Sequence, residues 1–296
     1  MIVEFGVLFK YIIHYLNRRV MIMKKINLLL VALIVSMATC SQAGGKKTQT
    51  KGDREAYEIK QSVFFADGSL DEYTASTWDS SYSHVDNQAR YSASGAMLEQ
   101  VEFAYNDDKG YVTTKITRDV ESRLKNRVVY QYNPQGYLFR ESLVDNKGKV
   151  VSTYEYSYDA KGNRVSRIIK NRAGDKLAET VYTFDNQGRM TSSQTKDLME
   201  SAISSTQYSY DAQGNLVKQV VLNNDGKPTS VINAVWQEGR EVKNEMLSAD
   251  GSVQMRVINE YGANGELVKK TIENFQGDSK QVMQYEYTFR PVRKQS

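Results

Sequence analysis

Glycine recurs in this chain at a fixed interval, and that interval limits the fold more than any other feature. Gly110, Gly136, Gly162, Gly188 and Gly214 are each 26 residues apart; Gly239 follows after 25 and Gly265 after 26 more. A second row, Gly148, Gly174, Gly226, Gly251 and Gly277, keeps the period, with Glu200 where one glycine is missing. From Gly136 on, the second row trails the first by 12 residues and the return step is 14, apart from the 13 between Gly226 and Gly239. The short step is a one-residue deletion at Trp236-Gln-Glu-Gly239. A period of this size marks a repeat architecture.

Both rows share one turn chemistry. Three residues before the glycine stands Asn or Asp: Asn133, Asp159, Asp185 and Asp211 in the first row, Asp145, Asn171, Asn223 and Asn274 in the second. Such side chains accept from nearby backbone N–H groups, and glycine then supplies the positive φ that ends the turn. Each unit therefore reads as two type I turns, each closed by a left-handed glycine in a bulged hairpin. Subtracting about four turn residues from each step leaves strands of roughly eight to ten.

Between the turns the side chains alternate. Tyr154, Tyr156 and Tyr158 share one face and Glu155 and Ser157 the other; Tyr208 and Tyr210 oppose Gln207 and Ser209 in the same way. One aromatic and one polar face is the pattern of a half-buried antiparallel sheet. The expected fold is all-β: tandem 26-residue β-hairpin repeats forming one large, twisted, curled or barrel-like antiparallel sheet of roughly fourteen to eighteen strands. Strands are expected near 149–158, 163–170, 176–184 and 189–196. With no helix to pack on, the sheet must curl so that its aromatic face lines the inside.

The pattern Tyr-x-Tyr-Asp-x-x-Gly-[Asn/Arg]-[Leu/Val/Met], clearest at 156–165 and 208–217, resembles the YD repeat of Rhs and teneurin-type proteins. The resemblance spans about 100–290 and departs at Trp236-Gln-Glu-Gly239, Tyr261-Gly-Ala-Asn-Gly265 and Phe289-Arg290, where the Asp is lost. It implies a scaffold, since large Rhs-like proteins wrap such hairpins into a shell around a toxic C-terminal domain. Here Ser296 follows directly on the last strand, and no passenger domain is expected.

The N-terminus reads as an export signal over 1–43, with translation starting at Met21 or Met23. Met23-Lys24-Lys25 opens a basic segment, Ile26 to Val35 an apolar one too short to span a membrane. Two processing points stay open. Met37-Ala-Thr-Cys40 resembles a lipobox, which would lipidate Cys40, the single cysteine; cleavage after Ala43 is the alternative. Residues 44–56 read as a flexible tether. One repeat domain follows over 57–296, with degenerate capping repeats at 57–100 and regular ones at 101–290. In the degenerate part, Asp67-Gly68 and Ser94-Gly95 read as second-row turns.

Chemistry is scarce. Past the signal there is one histidine, His84, which reads as an exposed loop or edge residue. Ser-His-Asp and Cys-His catalysis and His-rich metal sites are excluded, and neither a dinucleotide nor a phosphate loop is present. Asp145, Asp159, Asp185, Asp211 and Asp225 are explained by their turns. We expect no catalytic residue, no metal, no cofactor and no nucleic-acid partner; the net charge of +4 reads as a solvated face. The aromatic ladder of Tyr130, Tyr132, Tyr156, Tyr158, Tyr182, Phe184, Tyr208, Tyr210 and Trp236 is either a sealed core or a partly open surface for sugars or an extended peptide. The expected function is a non-catalytic cell-envelope lipoprotein, outer-membrane anchored, that binds glycan or protein. A periplasmic or secreted location, a structural spacer without a ligand, and a glycan-active enzyme are the alternatives.

Overall fold

A computed structural model describes residues 50–51, 54–78, 84–106, 109–198 and 202–291. The signal region with Cys40, most of the tether, residues 79–82 and Glu200 lie outside the described residues. Among the described residues every regular element is a β-strand, and each strand pairs antiparallel with its neighbours. The repeat maps onto consecutive hairpins: β7 (Leu124–Tyr132), β8 (Leu138–Val144), β9 (Val150–Tyr158), β10 (Arg164–Lys170), β11 (Lys176–Phe184) and β12 (Met190–Asp197).

The turn between β9 and β10 shows why glycine holds the period. Asp159 N–H donates to Asn163 O (2.9 Å) and Gly162 N–H to Asp159 O (3.1 Å). Asp159 Oδ1 accepts from the backbone N–H groups of Lys161 (2.9 Å) and Asn163 (2.8 Å). Gly162 then takes φ +86°, and the pairing of β9 with β10 slips by one residue at Arg164. This is a type I turn with a glycine bulge.

Three turns depart from the expected form. Gln237 pairs directly with Arg240, and Glu238 (φ 49°) and Gly239 (φ 72°) make a two-residue connection. Positive φ at both central residues is a type I′ turn, so the deletion changes the turn class. At the last second-row turn Asp278 (φ 42°), not Gly277, carries the positive φ. Before Gly148 the second row continues to Ser122 (φ 60°), in a turn ordered by the Asp119 carboxylate. That position escapes a glycine count because it holds serine.

Closure comes from the two ends of the chain. β19 (Ser279–Pro291) pairs with β2 (Arg54–Phe64) from Val282↔Phe64 to Pro291↔Arg54. Strands β2 to β19 thus form a closed 18-stranded antiparallel barrel, with the two-residue β1 (Thr50–Lys51) paired to β2. Closure removes both sheet edges, where unpaired backbone groups would otherwise recruit other chains.

The two walls differ as the alternation requires. The outer wall is charged: Arg140 and Lys170 flank Glu155 (3.0 and 2.7 Å), while Arg256 bridges Glu245 and Glu273 (2.7 and 3.4 Å). The inner wall holds most of the buried apolar residues. Val63, Met255, Val257, Ile272 and Met283 form the larger cluster, beside the closing seam, and Ile169, Leu177 and Ala178 pack with Tyr154 in a second.

Candidate functional site

All nine ladder residues lie on the inner wall, in alternate strands: β7, β9, β11, β13 (Ala202–Tyr210) and β15 (Pro228–Gln237). Every one is half-buried, none fully. Eighteen strands about 4.8 Å apart make a wall of roughly 86 Å, and barrels this wide are not filled by their own side chains as eight-stranded ones are.

At the first-row rim the aromatics do structural work that the sequence pattern does not announce. Next to the hairpin bulges, a carbonyl of the strand just after the turn accepts a bond from the aromatic side chain twenty positions on. Tyr132 hydroxyl donates to Val112 O (3.0 Å), Tyr158 to Leu138 O (2.7 Å) and Tyr210 to Met190 O (2.9 Å). Trp236 Nε1 does the same to Leu216 O (2.9 Å), and Tyr261 and Tyr287 continue the row. Phe184 has no hydroxyl to offer.

The residue after each first-row glycine is the second half of this belt. Tyr111 stacks on Tyr132 and Tyr137 on Tyr158, both with ring centres 4.8 Å apart; Arg189 lies over Tyr210 at 5.0 Å. These side chains reach the next glycine: a Cβ on Gly136 would stand 2.5 Å from Tyr111 Oη, and one on Gly162 would stand 2.9 Å from Tyr137 Cζ. The first-row glycines at 136 and 162 thus give room as well as positive φ. His84, in the bend before the strand Val85–Ser92, belongs to the same belt; it is half-buried, its ring 4.2 Å from that of Tyr105, where an exposed loop or edge residue was expected.

Deeper in, two polar centres interrupt the inner wall. Glu141 of β8 accepts from the Tyr156 hydroxyl (2.8 Å), and Arg164 lies over the Tyr156 ring at 4.2 Å. Burial, reinforced by the Glu141 charge, pushes the Tyr130 hydroxyl up to about 12 and raises Tyr156 as well. The second centre is on β16 (Arg240–Ser248), β17 (Val253–Tyr261) and β18 (Leu267–Asn274). Glu241 accepts from Asn244 Nδ2 (2.6 Å), and burial raises its carboxyl above the usual range. Burial likewise lowers the ammonium of Lys270, whose charge is felt by Glu241. Glu72 and Glu99, also on the inner wall, both face Arg90 (2.6 and 3.9 Å).

The turn aspartates are held low by their turns. The Asn163 and Asn215 amides depress Asp159 and Asp211, and the Arg189 backbone depresses Asp185. Among the described residues no three His, Cys, Asp or Glu side chains gather as a metal site would require.

No family model and no curated protein matches this chain. Solved structures are similar at low identity. A crystal structure of TcdB2-TccC3-Cdc42 matches 75% of this chain at 14% identity and TM-score 0.35. The match covers 16% of that chain, so the present chain spans about one sixth of its length. A porin-like protein from Bacteroides uniformis matches at 10% identity and TM-score 0.29, covering 79% of this chain and 98% of that one. A LolA superfamily protein from Nitrosomonas europaea gives 11% identity and TM-score 0.22, with 84% and 90% covered. With scores this low the likenesses carry no argument, and the functional reading rests on the inner wall.

Proposed function

We propose that this protein is an exported, non-catalytic binding scaffold of the cell envelope, built from YD-type repeats and tethered through a lipid on Cys40, whose inner aromatic wall takes up glycan. One observation carries the reading: the barrel is closed, yet all nine ladder aromatics stay half-buried. A sealed core of this size would bury them, as Met255 and Ile272 are buried elsewhere on the same wall. Half-exposed rings beside polar groups such as Glu141 and Ser193, which meets the Tyr208 hydroxyl at 3.2 Å, are what stacking on sugar rings needs.

Charge on the outer wall supports a water-facing barrel. A lipid-facing wall would carry an apolar band, and Arg or Lys at its middle costs about 2–4 kcal/mol each. An enzyme reading has little support. The inner carboxylates Glu141, Asp197 and Glu241 sit on β8, β12 and β16, four strands apart around the ring, and Glu72 and Glu99 are tied to Arg90. A glycan array probed with the purified chain tests the proposal. Binding that falls in a Tyr156→Ala/Tyr208→Ala double variant is expected; an empty array, or equal binding by the variant, would refute it.

A further inference from the structure

The one first-row turn that breaks the period also opens a cleft. In three sister turns the side chain after the glycine is held by the turn's own aspartate: Asn163 by Asp159 (2.9 Å), Arg189 by Asp185 (2.6 Å) and Asn215 by Asp211 (2.8 Å). Arg240 occupies the same position, but the deletion has removed the aspartate that would hold it. Among the described residues its carboxylate contact is Glu238 at 3.7 Å, a side chain 87% exposed. The guanidinium lies over Tyr261 at 5.8 Å, with its tip beside Gly265. Around it is a cleft of about 280 Å³ lined by Gln237, Glu238, Arg240, Val242, Asn259 and Tyr261. At ~30 Å³ per water that is space for about nine waters, or for one sugar ring.

The polar atoms of this cleft are unevenly satisfied. Asn259 Nδ2 donates to Glu241 O (2.9 Å), and its Oδ1 is buried in the wall without a donor, so the groups the cleft presents to a ligand are Arg240 and Tyr261. A guanidinium fork without its aspartate binds a carboxylate by two parallel N–H···O bonds. The Tyr261 ring offers a face for a pyranose.

We propose that this cleft binds an acidic sugar residue, with Arg240 holding its carboxylate and Tyr261 stacking beneath. The proposal rests on the glycan reading above and adds the ligand's charge and its place on the rim. Glu238 swings aside as the ligand carboxylate replaces it.

Calorimetric titration of the purified chain with glucuronate, glucose and glutamate tests the proposal. Glucuronate is expected to bind about tenfold or more tightly than either of the others, since only it offers both carboxylate and hydroxyls. Arg240→Gln should abolish the preference for glucuronate over glucose, Arg240→Lys should weaken it by losing the fork, and Arg189→Gln in the sister turn should leave it intact. Thermal unfolding of each variant distinguishes lost binding from lost folding, and Arg240→Lys serves if Arg240→Gln unfolds. Failure of glucuronate to bind, equal binding of glucose, tighter binding of glutamate, or a preference that survives Arg240→Gln would each overturn the assignment. A glycan array that still responds to Tyr156→Ala/Tyr208→Ala would in those cases leave the wider glycan reading standing.

Discussion

Gly162 and Gly214 occupy equivalent turns with nearly equal φ, +86° and +85°, but unequal surroundings. Nothing lies within 4 Å of a Cβ built on Gly214, whereas one on Gly162 runs into the Tyr137 hydroxyl and stands 2.9 Å from its Cζ. Asparagine tolerates the left-handed region, so at Gly214 it should cost less than the ~1–2 kcal/mol of an ordinary side chain. Turn chemistry alone expects the same mild cost at Gly162. The structure expects more, because the Tyr137 ring must leave its stack on Tyr158, centres 4.8 Å apart and planes 19° from parallel. Losing the stack costs about 0.5–1.5 kcal/mol. Re-exposing about 20–30 Å² of ring adds ~0.6 kcal/mol.

Gly162→Asn should therefore be less stable than Gly214→Asn by about 1–2 kcal/mol, a Tm difference of roughly 2–8 °C at this chain length. Urea unfolding of both variants, compared at unchanged m value, reads the difference directly. The decisive arm is a double-mutant cycle. In a Tyr137→Ala background the clash is gone, and Gly162→Asn should cost no more than Gly214→Asn. A coupling below about 0.5 kcal/mol would refute the idea that this glycine makes room for its neighbour.

Tyr158→Phe should lose about 1 kcal/mol in the same assay by removing the bond to Leu138 O, while Phe184→Tyr should gain a similar amount by reaching the Arg164 carbonyl; no gain would show that this bulge is satisfied otherwise. Asp250 is held down to about 2 by hydrogen bonds from Ser248 and Ser252. A depressed carboxyl stabilises above its unfolded value of about 3.9 and loses that contribution as pH falls to about 2, so the urea midpoint should drop across this window, less steeply in Asp250→Asn. Burial opposes the charged form of both Glu241 and Lys270, so Lys270→Met alone should destabilise, while Glu241→Gln/Lys270→Met should match or exceed the parent in thermal unfolding. Cys40→Ala should abolish palmitate labelling and release the protein from membranes; unchanged solubility would favour cleavage after Ala43.

What was legible in the sequence is what the repeat states in every copy. Positive φ excludes most side chains, so the glycines mark the turns, and alternation of Tyr with Glu or Ser marks the faces. Expected strands at 163–170 and 189–196 stand at Arg164–Lys170 and Met190–Asp197. A curled or barrel-like sheet was legible, but not which strands close it, because a repeat specifies only how a strand meets its neighbours. The strand that closes the ring, β2, belongs to the degenerate region, and its partner Tyr287 faces Ile59 with no motif to announce it. Of the candidate site, the nine inward aromatics could be read from period two. The residue after the glycine could not: it is Tyr111, Tyr137, Asn163, Arg189, Asn215 or Arg240, chemically unlike from copy to copy. What these positions share is a location, between one aromatic and the next glycine, and location appears only once the hairpins are laid side by side.

That location makes the two ends of the barrel physically different. At the second-row end, Cβ atoms on Gly148, Gly174, Gly226 and Gly251 would meet nothing within 4 Å, and adjacent turns touch through single bonds such as Arg172 to Asp145 (2.5 Å). At the first-row end, stacked rings and hydroxyl-to-carbonyl bonds fasten one hairpin to the next. Strand direction puts the start of β2 and the end of β19 at this fastened rim, since Arg54 pairs with Pro291. A lipid on Cys40 would therefore hold the barrel by the rim that carries the Arg240 cleft. Nine residues separate Cys40 from the paired Thr50, enough at ~3.3–3.6 Å each to span about 30 Å. A tether of that reach is about a third of the barrel's ~86 Å circumference, which leaves room between the anchored rim and the membrane for a ligand to enter.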